Sequence, residues 1–325
     1  MPAGALRLLA LDGGGVRGLS SLMILRSLMA AVNPDAPLRP CDYFDMIGGT
    51  STGGLIAIML GRLRMTIDEC VNAYTSLFDK VFEKQSHRVN IEGKLYGRFD
   101  AVALEQAVKQ ILAARGLGED VLLKDSDSSC KVFVCATSKE ISQTVCLTSY
   151  RSPRSDNSDL LNSTKIWQAC RATFAATAFF DPIAFGPFDE EFVDGALSAF
   201  NPVYSLWNQA QDVWGDQLRG SLQCIVSIGT GVPTFKPERG DVLRIWRTLR
   251  ELATETERTA ERFRRDKSDL EAEGRYYRFN VDRGLEEIGL EESRKKKEIA
   301  AATQRYVESQ AVFKQMNACA NAIAR

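Results

Sequence analysis

The sequence predicts an α/β protein built on a mainly parallel sheet. Two strand-turn-helix units stand in succession near its start, further short apolar runs follow between polar loops, and the last third carries apolar stripes at helical spacing.

In the first unit, Leu6 to Leu11 is a mostly apolar run of the length of a buried strand, and it leads through Asp12 into Gly13-Gly14-Gly15. Leu22, Ile24, Leu25, Leu28, Met29 and Val32 then follow a helical period over Leu19 to Val32, which Asn33-Pro34 ends. The three glycines therefore sit on a strand-to-helix turn. The second unit repeats the plan: Tyr43 to Ile47 reads as a strand and Gly48 to Gly54 as a turn. Leu55 to Leu60 is apolar on every side, as a helix buried against a sheet would be. Strands are also expected at Lys131 to Ala136, Val145 to Tyr150, Phe192-Val193 and Cys224 to Ile228, with loops at Lys124 to Ser129 and Arg151 to Asp159.

After Gly231-Val232-Pro233 the character changes. Val242, Trp246, Leu249, Ala253, Thr256, Ala260 and Phe263 form one stripe, and Ile299, Tyr306, Phe313, Met316, Ala320 and Ile323 another. The expected division is a catalytic domain over 1–235 and a helical extension over 236–325 packed on it. Both stripes are too interrupted for a coiled coil or a membrane-surface helix. The basic run Arg294 to Lys297 reads as a solvated helix face, with attraction of anionic lipid headgroups as its functional alternative.

Lys and Arg number 41 against 42 Asp and Glu, so a net charge of -1 gives no basis for coating DNA or RNA. The eight cysteines lie in apolar surroundings with no C-x-x-C and no nearby histidine, a pattern of buried free thiols rather than of a disulfide frame or a metal site. The start lacks the pattern of a signal peptide, and no uninterrupted apolar stretch reaches the roughly 18 residues of a membrane span. The expectation is a soluble cytoplasmic protein, in which the acceptor pattern Asn162-Ser163-Thr164 has no glycosylation to serve.

Gly49-Thr50-Ser51-Thr52-Gly53 is a G-x-S-x-G sequence between a strand and an apolar helix, where a sharp turn exposes a serine Oγ. A plain glycine-rich turn is the alternative. A nucleophilic hydroxyl needs a base, and the one histidine, His87, lies in a polar loop-like stretch. A carboxylate is then the candidate. Asp194 lies in "FVDGALSAF", flanked by apolar residues and followed at once by Gly195; an Asp-Gly turn would look the same. Gly13 to Gly18 formally fits the G-x-G-x-x-G of a dinucleotide-binding turn, but Asp35 and Asp42, near the right separation for a ribose contact, end no strand. Successive glycine N-H groups at a helix start also serve an oxyanion, and with Ser51 on the next turn that use explains more.

Asp12-Gly13-Gly14-Gly15-Val16-Arg17-Gly18, then Gly49 to Gly53, then Asp194-Gly195-Ala196, in this order, resemble the patatin-like phospholipase family. "ATFAATAFFDP", Ala172 to Pro182, resembles the segment before that family's aspartate, and the likeness covers Leu6 to Gly231. The resemblance implies a three-layer α/β/α fold with a helical C-terminal extension. It implies a lipid acyl hydrolase with a Ser51-Asp194 dyad, an oxyanion hole at Gly13, Gly14 and Gly15, and support from Asp12, Arg17, Gly18, Gly49, Gly53 and Gly195. No metal or cofactor is implied. The implied partner is a phospholipid or other acyl lipid met by transient contact with a membrane surface. Arg17 would orient the loop or meet a phosphate. Phe174, Phe179, Phe180, Phe185 and Phe188 either pack the core or line an acyl groove. A signalling or assembly domain with a silent site, and a nucleotide-binding module, are the competing functions.

Overall fold

The elements run β1 (Leu6–Leu11), α1 (Gly18–Val32), β2 (Met46–Thr50), α2 (Thr52–Ala57), α3 (Ile67–Val81), α4 (Ala101–Ala114), β3 (Lys131–Ser138) and β4 (Gln143–Thr148). There follow α5 (Ile166–Thr173), β5 (Ile183–Phe185), β6 (Glu190–Asp194), α6 (Val203–Trp214), β7 (Leu222–Ile228), β8 (Tyr276–Phe279), α7 (Lys296–Glu308) and α8 (Gln310–Ala324). This computed structural model describes residues 5–36, 39–82, 99–125, 127–153, 158–175, 180–195, 199–232 and 255–324.

Among these residues one eight-stranded sheet has the order β5-β6-β3-β2-β1-β7-β8, with β4 paired to β3. The pairs β1/β2, β1/β7, β2/β3 and β7/β8 are parallel; β3/β4, β3/β6 and β5/β6 are antiparallel. Side-chain alternation divides each strand between two apolar layers. Leu9, Leu11, Ile47, Val132, Val134 and Val226 meet the layer that holds α1 to α5, α7 and α8. Leu8, Ala10, Met46, Phe133, Cys135 and Ile225 meet α6 and the helix over 255–266. Helices thus cover both faces, the three-layer α/β/α arrangement that the resemblance implies.

The segment Gly15–Val32 reaches the length and apolar character of a membrane span, but 67% of it is buried inside the fold, packed between the sheet and α7 and α8. It is a core helix here. α3 begins with Thr66 and Glu69 in a reciprocal capping box, and the Thr66 N-H holds the Glu69 carboxylate below its usual range. That helix carries Tyr74 to the site.

Several sequence expectations shift. The second strand lies at Met46–Thr50, not Tyr43 to Ile47, because Pro40 opens a short helix through Tyr43. The last third is not wholly helical: β8 adds a parallel strand beside β7. β5 and β8, of three and four residues, are too short for an alternation pattern to announce them. Val242, Trp246, Leu249 and Ala253, and the 235/236 domain boundary, lie outside the described residues. Lys296 of the basic run bridges Asp79 on α3 at 2.6 Å, while Arg294 and Lys297 are exposed. The cysteines are free thiols, all buried except the half-buried Cys146.

Candidate active site

β2 ends at Thr50, and Ser51 takes φ 54° and ψ -125° before α2 begins. A non-glycine residue there costs about 1–3 kcal/mol unless its surroundings hold it. Three hydrogen bonds do. The Ser51 N-H donates to Thr173 Oγ1 at 2.9 Å, the Thr173 hydroxyl donates to the Cys135 carbonyl at 2.7 Å, and the Leu55 N-H donates to the Ser51 carbonyl at 3.1 Å. The flanking glycines are spatial necessities: a Cβ on Gly49 would stand 2.2 Å from the Gly53 carbonyl oxygen, and one on Gly53 2.2 Å from that of Leu11.

β6 brings the carboxylate. β2 follows one edge of β3 as far as Thr50, opposite Cys135. β4 occupies the other edge over Phe133 to Ser138. The antiparallel β6 must therefore continue where β2 stops, and its last residue, Asp194, pairs with Ala136. Two strands meeting head-on along one edge put Asp194 beside the turn after Thr50. The Ser51 hydroxyl donates to Asp194 Oδ2 at 3.0 Å. Both groups are withdrawn from solvent, Ser51 at 8% and Asp194 at 2% exposure. The Asp194 backbone is fixed by its N-H to the Ala175 carbonyl and by the Thr137 hydroxyl to its own carbonyl. A Cβ on Gly195 would stand 2.4 Å from the Cys135 carbonyl oxygen, so the chain turns away there only as glycine.

The glycine loop between β1 and α1 runs against Ser51: a Cβ on Gly13 would lie 3.2 Å from Ser51 Cβ. Its polar groups can be accounted for one by one. The N-H groups of Asp12, Gly13 and Val16 donate to the carbonyls of Ile228, Phe200 and Leu290. The carbonyl of Gly13 accepts from Thr230 Oγ1 at 2.8 Å, that of Gly14 from the Arg17 N-H at 3.2 Å, and that of Gly15 from the Tyr74 hydroxyl at 2.5 Å. Among the described residues the Gly14 and Gly15 N-H groups have no acceptor. Gly13, expected beside them as a donor, has its N-H engaged by Phe200. Gly15 has φ +57°, and a Cβ on Gly14 would strike Thr230 Oγ1 at 2.0 Å.

Asp12, at the head of this loop, is 1% exposed and pairs through Oδ2 with Arg278 Nη2 of β8 at 2.7 Å. Arg278 also donates to Ser227 Oγ and to Glu257 Oε1, both at 2.9 Å. Burial pushes the Asp12 carboxyl up to about 6 against the pull of Arg278, with Glu257 adding to the rise. Arg17 is 3% exposed and points its Nε at the Gly14 carbonyl at 3.5 Å; burial lowers it to about 10, so it stays charged at neutral pH. Gly18 leaves room for Tyr74, whose hydroxyl oxygen would be 2.4 Å from a Cβ there.

Of the phenylalanines, Phe174 and Phe180 are buried and pack with Phe78, Phe82 and Phe99, and Phe185 stacks on Phe192. These three serve the core. Phe188 is 87% exposed, and Phe179 and His87 lie outside the described residues. Thr173, Thr230, Tyr74 and Arg278 were not singled out from sequence; each is defined only by what folding brings next to it.

Residues 9–207 match the family model described as Patatin-like phospholipase. Phospholipase A I of Arabidopsis thaliana is 29% identical over 307 residues, covering 77% of this chain and 22% of that protein. Calcium-independent phospholipase A2-gamma of Rattus norvegicus is 32% identical over 234 residues, covering 70% of this chain and 28% of that protein. Patatin of Solanum tuberosum is 28% identical over 207 residues, covering 58% and 49%. The chain thus spans about a quarter of the length of the first two relatives and about half of the third.

Proposed function

The chain belongs to the patatin-like phospholipase family, and from that premise we propose that it hydrolyses the carboxylic ester bonds of phospholipids and other acyl lipids. Ser51 is the nucleophile and Asp194 its base. As Ser51 Oγ attacks the ester carbonyl, its proton passes to Asp194 along the 3.0 Å hydrogen bond. The negative charge that develops on the carbonyl oxygen is met by the N-H groups of Gly14 and Gly15. In this reading Gly13 spaces the loop rather than donating. Collapse of the tetrahedral intermediate expels the alcohol, which takes the proton from Asp194, and leaves an acyl-enzyme. Asp194 then accepts a proton from water as that water attacks the acyl carbonyl, and the fatty acid leaves with Ser51 restored.

The observation that carries this reading is the hydrogen accounting of the glycine loop. Among the described residues the N-H groups of Asp12, Gly13 and Val16 and the carbonyls of Gly13, Gly14 and Gly15 each have a partner, and the two N-H groups without an acceptor, those of Gly14 and Gly15, stand on the loop that touches Ser51. Preorganised donors of this kind are each worth about 10²- to 10³-fold in rate. The reading carries with it a cytoplasmic enzyme that contacts a membrane surface transiently while its substrate enters.

The test is fatty-acid release from a phospholipid vesicle and from a short-chain ester. Ser51→Ala should lower turnover by roughly 10⁴- to 10⁶-fold with the fold intact. Asp194→Asn should do so to a comparable degree, and EDTA should leave the wild-type rate unchanged. Full activity in Ser51→Ala would end the proposal.

A further inference from the structure

β3 and β4 carry two thiols opposite each other behind the Ser51 turn. Cys135 and Cys146 are register partners across this antiparallel pair, and among the described residues the register joins no other two cysteines. The Ser149 N-H donates to the Val132 carbonyl at 2.7 Å, which makes Val132 and Ser149 a hydrogen-bonded pair. Counting along the ladder, Val134/Leu147 is again hydrogen-bonded and Cys135/Cys146 is not. Non-hydrogen-bonded pairs bring their Cα atoms to about 4.5 Å, inside the window of roughly 4.4–6.8 Å that a disulfide spans. Both side chains leave the same face, into the apolar cluster of Met46, Phe133 and Tyr150. Cys135 is fully buried. Cys146 is half-buried and lines a cleft of about 410 Å³ with Thr144, Tyr150, Arg151 and Gln209, which gives a small oxidant a way in.

We infer that Cys135 and Cys146 form a reversible disulfide site whose oxidant is a hydroperoxide. The peroxide oxidises the Cys146 thiol to a sulfenic acid, with its O-O bond broken and one molecule of water or alcohol released. The Cys135 sulfur then attacks the Cys146 sulfur; the S-S bond forms as the S-O bond breaks, and the displaced hydroxide leaves as water with the Cys135 proton. A dithiol returns both cysteines to thiols by supplying two electrons and two protons.

The site reaches Ser51 through one residue. Cys135 faces Thr50 in the register, and its carbonyl accepts the Thr173 hydroxyl that in turn accepts the Ser51 N-H. Drawing Cys135 toward β4 loosens that relay. The expected cost is about fivefold in turnover, the worth of one hydrogen bond. This consequence rests on Ser51 being the nucleophile, whereas the disulfide itself does not.

The experiment exposes the whole chain to hydrogen peroxide, blocks remaining thiols with iodoacetamide and digests with trypsin without reduction. The two cysteines fall in neighbouring tryptic peptides, Val132 to Lys139 and Glu140 to Arg151. These two should appear cross-linked, and dithiothreitol should separate them. Cys146→Ala should lose the cross-link, keep its basal ester hydrolysis and resist inhibition by peroxide. Recovery of both peptides alkylated, or oxidised without a cross-link, overturns the site. A cross-link that leaves turnover unchanged overturns the relay to Ser51. A wild-type protein without ester hydrolysis counts against the hydrolase reading, and the cross-link still decides the site.

Discussion

Replacing Arg278 with Met removes the partner of a carboxylate that water does not reach. The side chains of Arg278 and Asp12 are 4% and 0% exposed, so Asp12 beneath the glycine loop would have to bear an uncompensated charge or take up a proton. Breaking a buried pair from one side costs about 3–5 kcal/mol. The pH dependence identifies the source. The groups facing Asp12 are Arg278, Glu257 beyond it, and Tyr276, which burial keeps neutral with its phenol near 12. With Arg278 present the Asp12 carboxyl already sits at about 6, and without that guanidinium it must rise further. A carboxyl raised above its unfolded value contributes stability that is present below the unfolded value near 3.8 and is lost as pH rises through the folded one. At pH 5 Asp12 holds its proton in both proteins, and the variant should differ from wild type only by the lost hydrogen bonds to Asp12, Ser227 and Glu257. Above pH 6 wild-type Asp12 is ionised while the variant still holds the proton, and the gap should widen by about 1.4 kcal/mol per pH unit until the variant's carboxyl also ionises. Urea denaturation of both proteins at pH 5, 6, 7 and 8 measures this. An equal destabilisation at all four values would refute the assignment of the cost to Asp12.

Three further outcomes follow from the loop and the turn. Gly14→Ala drives a methyl group onto Thr230 Oγ1 and should cut turnover by about 10²- to 10³-fold with a smaller change in KM, as steady-state kinetics on a short-chain ester would read. Tyr74→Phe removes the hydroxyl that the Gly15 carbonyl accepts and should cost about 0.5–1.5 kcal/mol in thermal or urea unfolding, the worth of one hydrogen bond, because the carbonyl keeps the Gly18 N-H. Thr173→Val leaves the Ser51 N-H without an acceptor; turnover should fall about fivefold or more while Thr173→Ser stays near wild type.

The parts of the fold legible in the sequence are those whose signal is local. The apolar run into three glycines, the helix that Asn33-Pro34 ends, and the glycines around Ser51 each encode a turn or a period that needs no distant partner. In sequence the pairing of Ser51 with Asp194 rests on the lack of a suitable histidine, the apolar flanks of Asp194 and the order of the motifs, none of which shows its physical cause. It depends on β6 running antiparallel into the place that β2 vacates on β3, and β6 shows only as Phe192-Val193 in sequence. Gly13 looked equivalent to Gly14 and Gly15 because nothing in a row of glycines tells that the Phe200 carbonyl will claim one N-H. Asp12 and Arg278 lie 266 positions apart, and Arg278 sits in a four-residue strand that no alternation announces. The glycines at 49, 53 and 195 are explained only by carbonyl oxygens that folding brings to 2.2–2.4 Å from where a Cβ would stand.

The most direct test of the central claim is to trap the acyl-enzyme. Protein mixed with a chromogenic short-chain ester, quenched in acid during the first turnover and digested, should carry the acyl mass on the peptide that contains Ser51, in an amount that matches the burst of released alcohol. Turnover without any acyl adduct at Ser51, or an adduct at another residue, would contradict the account.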